Sequence, residues 1–223
     1  LILYSTFLTR SGILGNASVH SFTDLGLSGQ LLIYLMFFLI ISIVFAARVW
    51  NKIPSSEKEA STYSREFWIF IGALTLCLMA FQVLIPTSFP VFNAVIEFFG
   101  GISTLAQPAN QVEFYSNGQV WFAIAVALLS GTGQFFFWKK MDKQKLIASL
   151  TFPLLISLLL SATIFILADV HNLVYIVVLV AGMYSIVANS KILFELLRSK
   201  SFKLVGGSVA HIGIAMMLIG IMF

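Results

Sequence analysis

Apolar runs of about 20 residues, enough to cross the bilayer core as a helix, recur along this 223-residue chain with almost no charge inside them. A chain built this way must satisfy its backbone hydrogen bonds internally, because lipid offers none, so helices are the economical solution. Only 10% of the residues are charged, against about 25% in a soluble domain. The fold class expected is therefore all-α: a polytopic helical membrane protein with about six complete transmembrane helices and an N-terminal helix stub. Residues 1–223 read as a single transmembrane domain.

The expected spans are 30–50, 67–85, 119–138, 146–168, 173–194 and 204–223. Leu1 to Leu8 is apolar but too short to span. It reads as the tail of a helix, and the chain as a piece of a larger protein or one product of a split gene. Two longer connections stand out, 9–29 and 86–118. In the second, Pro86, Pro90, Gly100, Gly101 and Pro108 exclude one continuous helix. Val91, Phe92, Val95, Ile96 and Phe99 share one helical face there, which suits a short helix lying in the membrane interface. Pro153 is expected to kink the fourth span.

Twelve of the thirteen Lys and Arg fall at alternate loops: Arg48 to Arg65, Lys139 to Lys145, and Lys191 to Lys203. By the positive-inside rule those loops face the cytoplasm. The loops holding Arg10 and His20, Glu97 and Glu113, and Asp169 and His171 then face outward. Basic residues confined to short loops do not mark a nucleic-acid surface, so the net charge of +4 implies no nucleic acid. The partner implied is membrane lipid. The single cysteine, Cys77, excludes an intrachain disulfide and reads as a small buried hydrophobe. No Cys-x-x-Cys-His attachment motif is present, so the chain is not itself a c-type cytochrome.

Two histidines hold the functional interest. His211 lies about eight residues into the last span, roughly 12 Å from its inner end at about 1.5 Å per residue. An imidazole at that depth needs a partner. Gly206, Gly207, Ala210 and Gly213 around it let a helix or a flat ligand come close. Three roles fit: a hydrogen bond to a neighbouring helix, a proton relay, or ligation of a metal such as heme iron. His20 lies in the first outer loop among Ile13, Leu14, Val19, Phe22 and Leu25, which are too apolar for a freely solvated segment. Arg10 in the same loop could hold a carboxylate such as a heme propionate, or could snorkel at the outer helix end. His171, beside Asp169 in a tight outer turn, reads as a surface residue.

Thr9-Arg10-Ser11-Gly12-Ile13-Leu14 followed by Ser18-Val19-His20-Ser21-Phe22 resembles the signature of the CcmF-type cytochrome c heme lyases. Ser64-Arg65-Glu66 opening a span, and Ala210-His211-Ile212-Gly213 with Gly220 in a late helix, fit the same family. The resemblance implies the C-terminal part of such a protein, in the bacterial inner membrane with its functional loops on the periplasmic side. It implies that heme delivered by the heme chaperone CcmE is joined to the thiols of apocytochrome c, alongside other cytochrome c maturation subunits. It also implies that His20 is an axial ligand of the transferred heme, and that His211 is an axial ligand of a separate b-type heme (heme b) within the bundle. The family's tryptophan-rich outer loop and its two further histidines are absent from this chain, so the piece alone is expected to be inactive. The competing expectations are a membrane heme-handling or transport subunit without a lyase step, and a structural subunit in which His20 and His211 only pack.

Overall fold

A computed structural model describes residues 2–15, 26–53, 62–136, 142–169 and 171–221. Among the described residues there are eight α-helices and no strand: α1 (Ile2–Arg10), α2 (Ser28–Val49), α3 (Arg65–Thr87), α4 (Phe89–Phe98), α5 (Gln111–Gly133), α6 (Lys143–Leu167), α7 (Leu173–Arg198) and α8 (Val205–Gly220). Six of them, counting the 3-10 turns that extend α2 and α8, are long and apolar enough to cross a membrane. The protein is a polytopic helical membrane protein, as its hydropathy requires.

The helices differ from the sequence expectation at their ends. α3 runs through Pro86 and ends one residue later, at Thr87. α5 begins at Gln111, eight residues before the expected span, so the polar stretch Gln111 to Gly118 is helical as well. The expected loop at 86–118 is thus mostly helical. It does contain the short apolar helix anticipated there, α4, with Pro90 in its first turn, where a missing N–H costs nothing. Gly100 ends α4 at φ +79°, a conformation that only glycine adopts freely. It lets Gly101 N–H reach back to Ile96 O at 2.9 Å. Pro153 sits inside α6, which continues past it.

The close contacts divide the chain into two compact units, Leu1–Lys58 with Val83–Gln111, and Glu59–Gln82 with Val112–Phe223. In the first, Phe7, Leu8 and Leu14 form a small core, with Tyr4, Ile13, Leu31, Leu35 and Val91 packed on it. Tyr4 Oη donates to Ser88 Oγ at 2.7 Å, and that hydroxyl donates to Leu84 O at 2.6 Å. Asn93 holds the segment after α4: its Nδ2 donates to Leu105 O at 2.9 Å, and Ser103 Oγ donates to its Oδ1 at 2.6 Å. α2 buries no residue at all. For a span whose solvent is lipid, an apolar surface on every side is the stable arrangement.

The second unit is organised on α7. Val178, Leu179, Ala181, Gly182, Tyr184, Ser185, Ala188 and Asn189 are all buried, so most of two helical faces is covered. Small residues set the spacing, as they do wherever lipid removes a hydrophobic drive between helices. Gly182 meets Ile219 and Ala215 of α8, and Gly131 of α5 meets Tyr184 and Ser185. Ile124, Ala127, Val178 and Ala181 form one core cluster, and Phe135, Phe136, Leu146, Tyr184 and Ala188 another. Asn172 opens α7 by accepting Val174 N–H on its Oδ1 at 2.9 Å. Lys191, counted with the inner loops in the sequence, lies within α7, where its ammonium donates to Ser149 O at 3.1 Å and sits 5.3 Å from the Phe135 ring centroid.

Candidate functional site

Ser64 starts the local construction. Its Oγ accepts Phe67 N–H at 3.3 Å, which holds the first turn of α3. Arg65 and Glu66 follow, with Glu66 in the position where a carboxylate suits the helix dipole. Trp68 is fixed twice, by donating its indole N–H to Thr62 O at 2.9 Å and by stacking on Phe136 at 5.2 Å between centroids. Arg65 and Trp68 form one wall of a cleft of about 450 Å³ in the second unit, lined also by Gly72, Ser130, Gly133, Gln134, His211 and Ile214. Arg65 is the one charged side chain among the described residues that line it.

His211 is half-buried on this cleft, on α8. Its Nδ1 lies 2.8 Å from Ser130 Oγ on α5. Ser185 Oγ donates to Ser130 Oγ at 3.1 Å. Asn189, one turn further along α7, donates through Nδ2 to Ser185 O at 2.9 Å and to Ser130 O at 3.4 Å. Ser185 and Asn189 are fully buried. A polar chain therefore runs from the interior of α7 through α5 to the imidazole. The hydroxyl can donate to Nδ1 or accept from it, according to which ring nitrogen carries the hydrogen. Gly72 and Gly133 leave open space: a Cβ added at either would meet no atom within 4 Å, and the same holds for Gly206 and Gly213 beside His211 on α8.

The other candidates are placed differently. His20 lies outside the described residues. Arg10 is exposed in the last turn of α1, in the first unit. His171 is a surface residue, with its Nε2 3.6 Å from Asp169 Oδ1 and both side chains largely exposed. Cys77 corrects its expectation: among the described residues it is exposed, not buried, on a helix whose one buried residue is Pro86. No cluster of three His, Cys, Asp or Glu that could hold a bare metal ion occurs among the described residues. Sequence reasoning missed Ser130, Ser185 and Asn189. The signal available was the Ser185–Asn189 pair, polar at i, i+4 within an apolar span, where such residues seldom go without partners.

Six apolar helices, with an imidazole held by a buried polar chain beside an open cleft, define a polytopic membrane protein of the small-residue-packed helical kind. No family model matches the chain, and no solved structure matches it. Along its whole length it is similar to the cytochrome c-type biogenesis protein CcmF of Escherichia coli (strain K12), at 29% identity over 230 aligned residues. The match takes in 100% of this chain and 34% of that protein, so the chain spans about a third of its curated relative.

Proposed function

We propose that this chain is part of a cytochrome c maturation protein of the CcmF kind, acting in the bacterial inner membrane, with its two compact units working as one transmembrane domain. The observation that carries the reading is the placement of His211. In a chain similar to CcmF from end to end, the membrane histidine lines a cleft and has Nδ1 held by a hydroxyl. That is the usual arrangement of a metal-ligating imidazole, whose second nitrogen is engaged by an outer partner.

The residues suit one face of a heme. His211 would hold its iron through a ring nitrogen, Gly72 and Gly133 give a flat group room, and Arg65 would meet a propionate, as guanidinium groups meet carboxylates. A resident heme supplies redox chemistry. The protein's part is to bind it, orient it and set the basicity of its ligand. His20 and Arg10 would serve the heme that is substrate, delivered by the chaperone CcmE and joined to apocytochrome c.

The test uses the complete protein that contains this chain, purified from membranes. His211→Ala is expected to remove most of the co-purified b-type heme spectrum. Full retention of that heme would overturn the reading of the cleft. Covalent cytochrome c formation by the same protein in a reconstituted system separates lyase from transport.

A further inference from the structure

We infer that the groove between α1, α2 and α4 holds one phospholipid of the outer leaflet, with an acyl chain lying in the groove and the phosphate at Arg10. The groove has a volume of about 830 Å³ and lies wholly within the first compact unit. Its walls include Leu3 and Phe7 of α1, Leu35 and Leu39 of α2, and Val95 and Phe98 of α4. It belongs to the other unit from the His211 cleft and stands independently of the heme reading.

The lining decides the chemistry. Among the described residues no charged side chain lines the groove, and its polar side chains, Tyr4 and Ser42, are already bonded within the protein. Tyr4 Oη donates to Ser88 Oγ at 2.7 Å, and Ser42 Oγ donates to Phe38 O at 2.7 Å. Neither hydroxyl has a hydrogen left for a guest. An apolar cavity without polar partners stays dry, so the occupant that suits it is hydrocarbon. The α4 wall is open on one side, with Phe98 84% and Phe99 80% exposed, so a chain enters from the bilayer without crossing the protein.

Length and charge fix which end of a lipid goes where. Leu32 and Ser42 mark the extent of the groove along α2, about 15 Å at about 1.5 Å per residue. That is half of a hydrocarbon core about 30 Å thick, the depth of one leaflet. The charge alternation places the start of α2 at the outer surface, so the groove runs from there to the middle of the bilayer. Twelve of the thirteen Lys and Arg belong to the opposite side, and Arg10 is the thirteenth. It stands on the face of α1 that carries Leu3 and Phe7, and Ile13, just beyond it, lines the groove. The Arg10 side chain is exposed. A guanidinium has several N–H donors, so it can hold a phosphate alongside its contacts within the protein. The outer cation therefore stands at the mouth of a groove one leaflet deep, and a phospholipid complements both. A heme propionate delivered to Arg10 would compete with that phosphate.

The experiment uses the complete protein that contains this chain, purified from membranes in mild detergent. Native mass spectrometry measures the phospholipid that stays bound, and titration of delipidated protein with phosphatidylglycerol gives its affinity. Ala94→Trp fills the groove from α4, and Ile33→Trp adds the same ring at a 72% exposed position of α2 that does not line it. The parent and Ile33→Trp are expected to retain a phospholipid that Ala94→Trp loses. Arg10→Gln is expected to weaken lipid binding about 10-fold, the size of one charge-assisted hydrogen bond. Arg10→Lys is expected to restore most of it, because an ammonium holds phosphate as a point charge. A lipid-free parent, whether monomeric, dimeric or heme-loaded, overturns the inference, and so does an Ala94→Trp protein that keeps its lipid. Arg10→Gln with the parent's affinity overturns it as well, and that exposed substitution gives a reading even if Ala94→Trp fails to fold.

Discussion

Gly131 lies so close to Tyr184 that a methyl group on its Cα would sit 2.7 Å from the ring Cε1. The ring cannot swing away freely, because the Tyr184 hydroxyl is 3.0 Å from Oγ1 of Thr132, the next residue of α5. Gly131→Ala must therefore separate α5 from α7. Overpacking of this kind costs about 1–3 kcal/mol. The variant is expected to melt at lower temperature in detergent, and Gly133→Ala, which meets nothing within 4 Å, to melt at or above the parent. Equal melting of the two would show that the α5–α7 contact is looser than described.

Tyr184→Phe removes the Thr132 partner while keeping the ring on Phe135 and Ala188. Hydrogen bonds between membrane helices are worth about 0.6 kcal/mol on average, so a small loss of thermal stability is expected. Ser161→Ala should behave oppositely. The Ser161 hydroxyl is buried and has no hydrogen-bond partner among the described residues. Removing an unsatisfied group relieves a desolvation cost of about 1–3 kcal/mol. A thermal melt of each variant checks the sign, and a destabilised Ser161→Ala would mean that the hydroxyl has a partner.

The charge alternation predicts which ends face out. Thr104→Cys, after α4, is expected to react with an impermeant thiol reagent in intact cells, and Lys52→Cys, after α2, only once the membrane is opened. The background carries Cys77→Ser, so that the introduced thiol is the only cysteine in this stretch. Labelling of Lys52→Cys alone in intact cells would invert the topology.

His20 and His211 are assigned to different hemes, so their losses should dissociate in the complete protein. His20→Ala is expected to keep most of the resident b-type spectrum and to abolish cytochrome c maturation. His211→Ala is expected to lose that spectrum. Heme spectra of the purified variants beside a maturation assay check both, and loss of the resident heme in His20→Ala would merge the two sites.

The spans were legible because hydropathy and charge report on lipid, and they report it strongly. The start of α7 was legible to the residue, since Asn172 both interrupts the apolar run and caps the helix. The start of α5 was not: Gln111 to Gly118 is a polar stretch of helix, and hydropathy cannot distinguish such a stretch from a loop. The exposure of Cys77 was missed for a related reason. An apolar neighbourhood in sequence says that a residue avoids water, but not whether protein or lipid covers it. His211 was found because an imidazole in an apolar helix is conspicuous. Its partner was not, because a serine in a membrane span is common and Ser130 is 81 residues away.

That separation of 81 residues has a consequence for assembly. α6, α7 and α8 pack on their neighbours in sequence and can associate as soon as each is inserted. The bond between Ser130 and His211 closes a long loop instead, and it exists only when α8 has docked beside α5. Whatever binds His211 in the cleft binds that docked arrangement and no earlier one, so it draws the equilibrium toward it by mass action. The cleft is thus a latch on the last step of folding, and a bound cofactor would distinguish a finished bundle from one still missing its final helix.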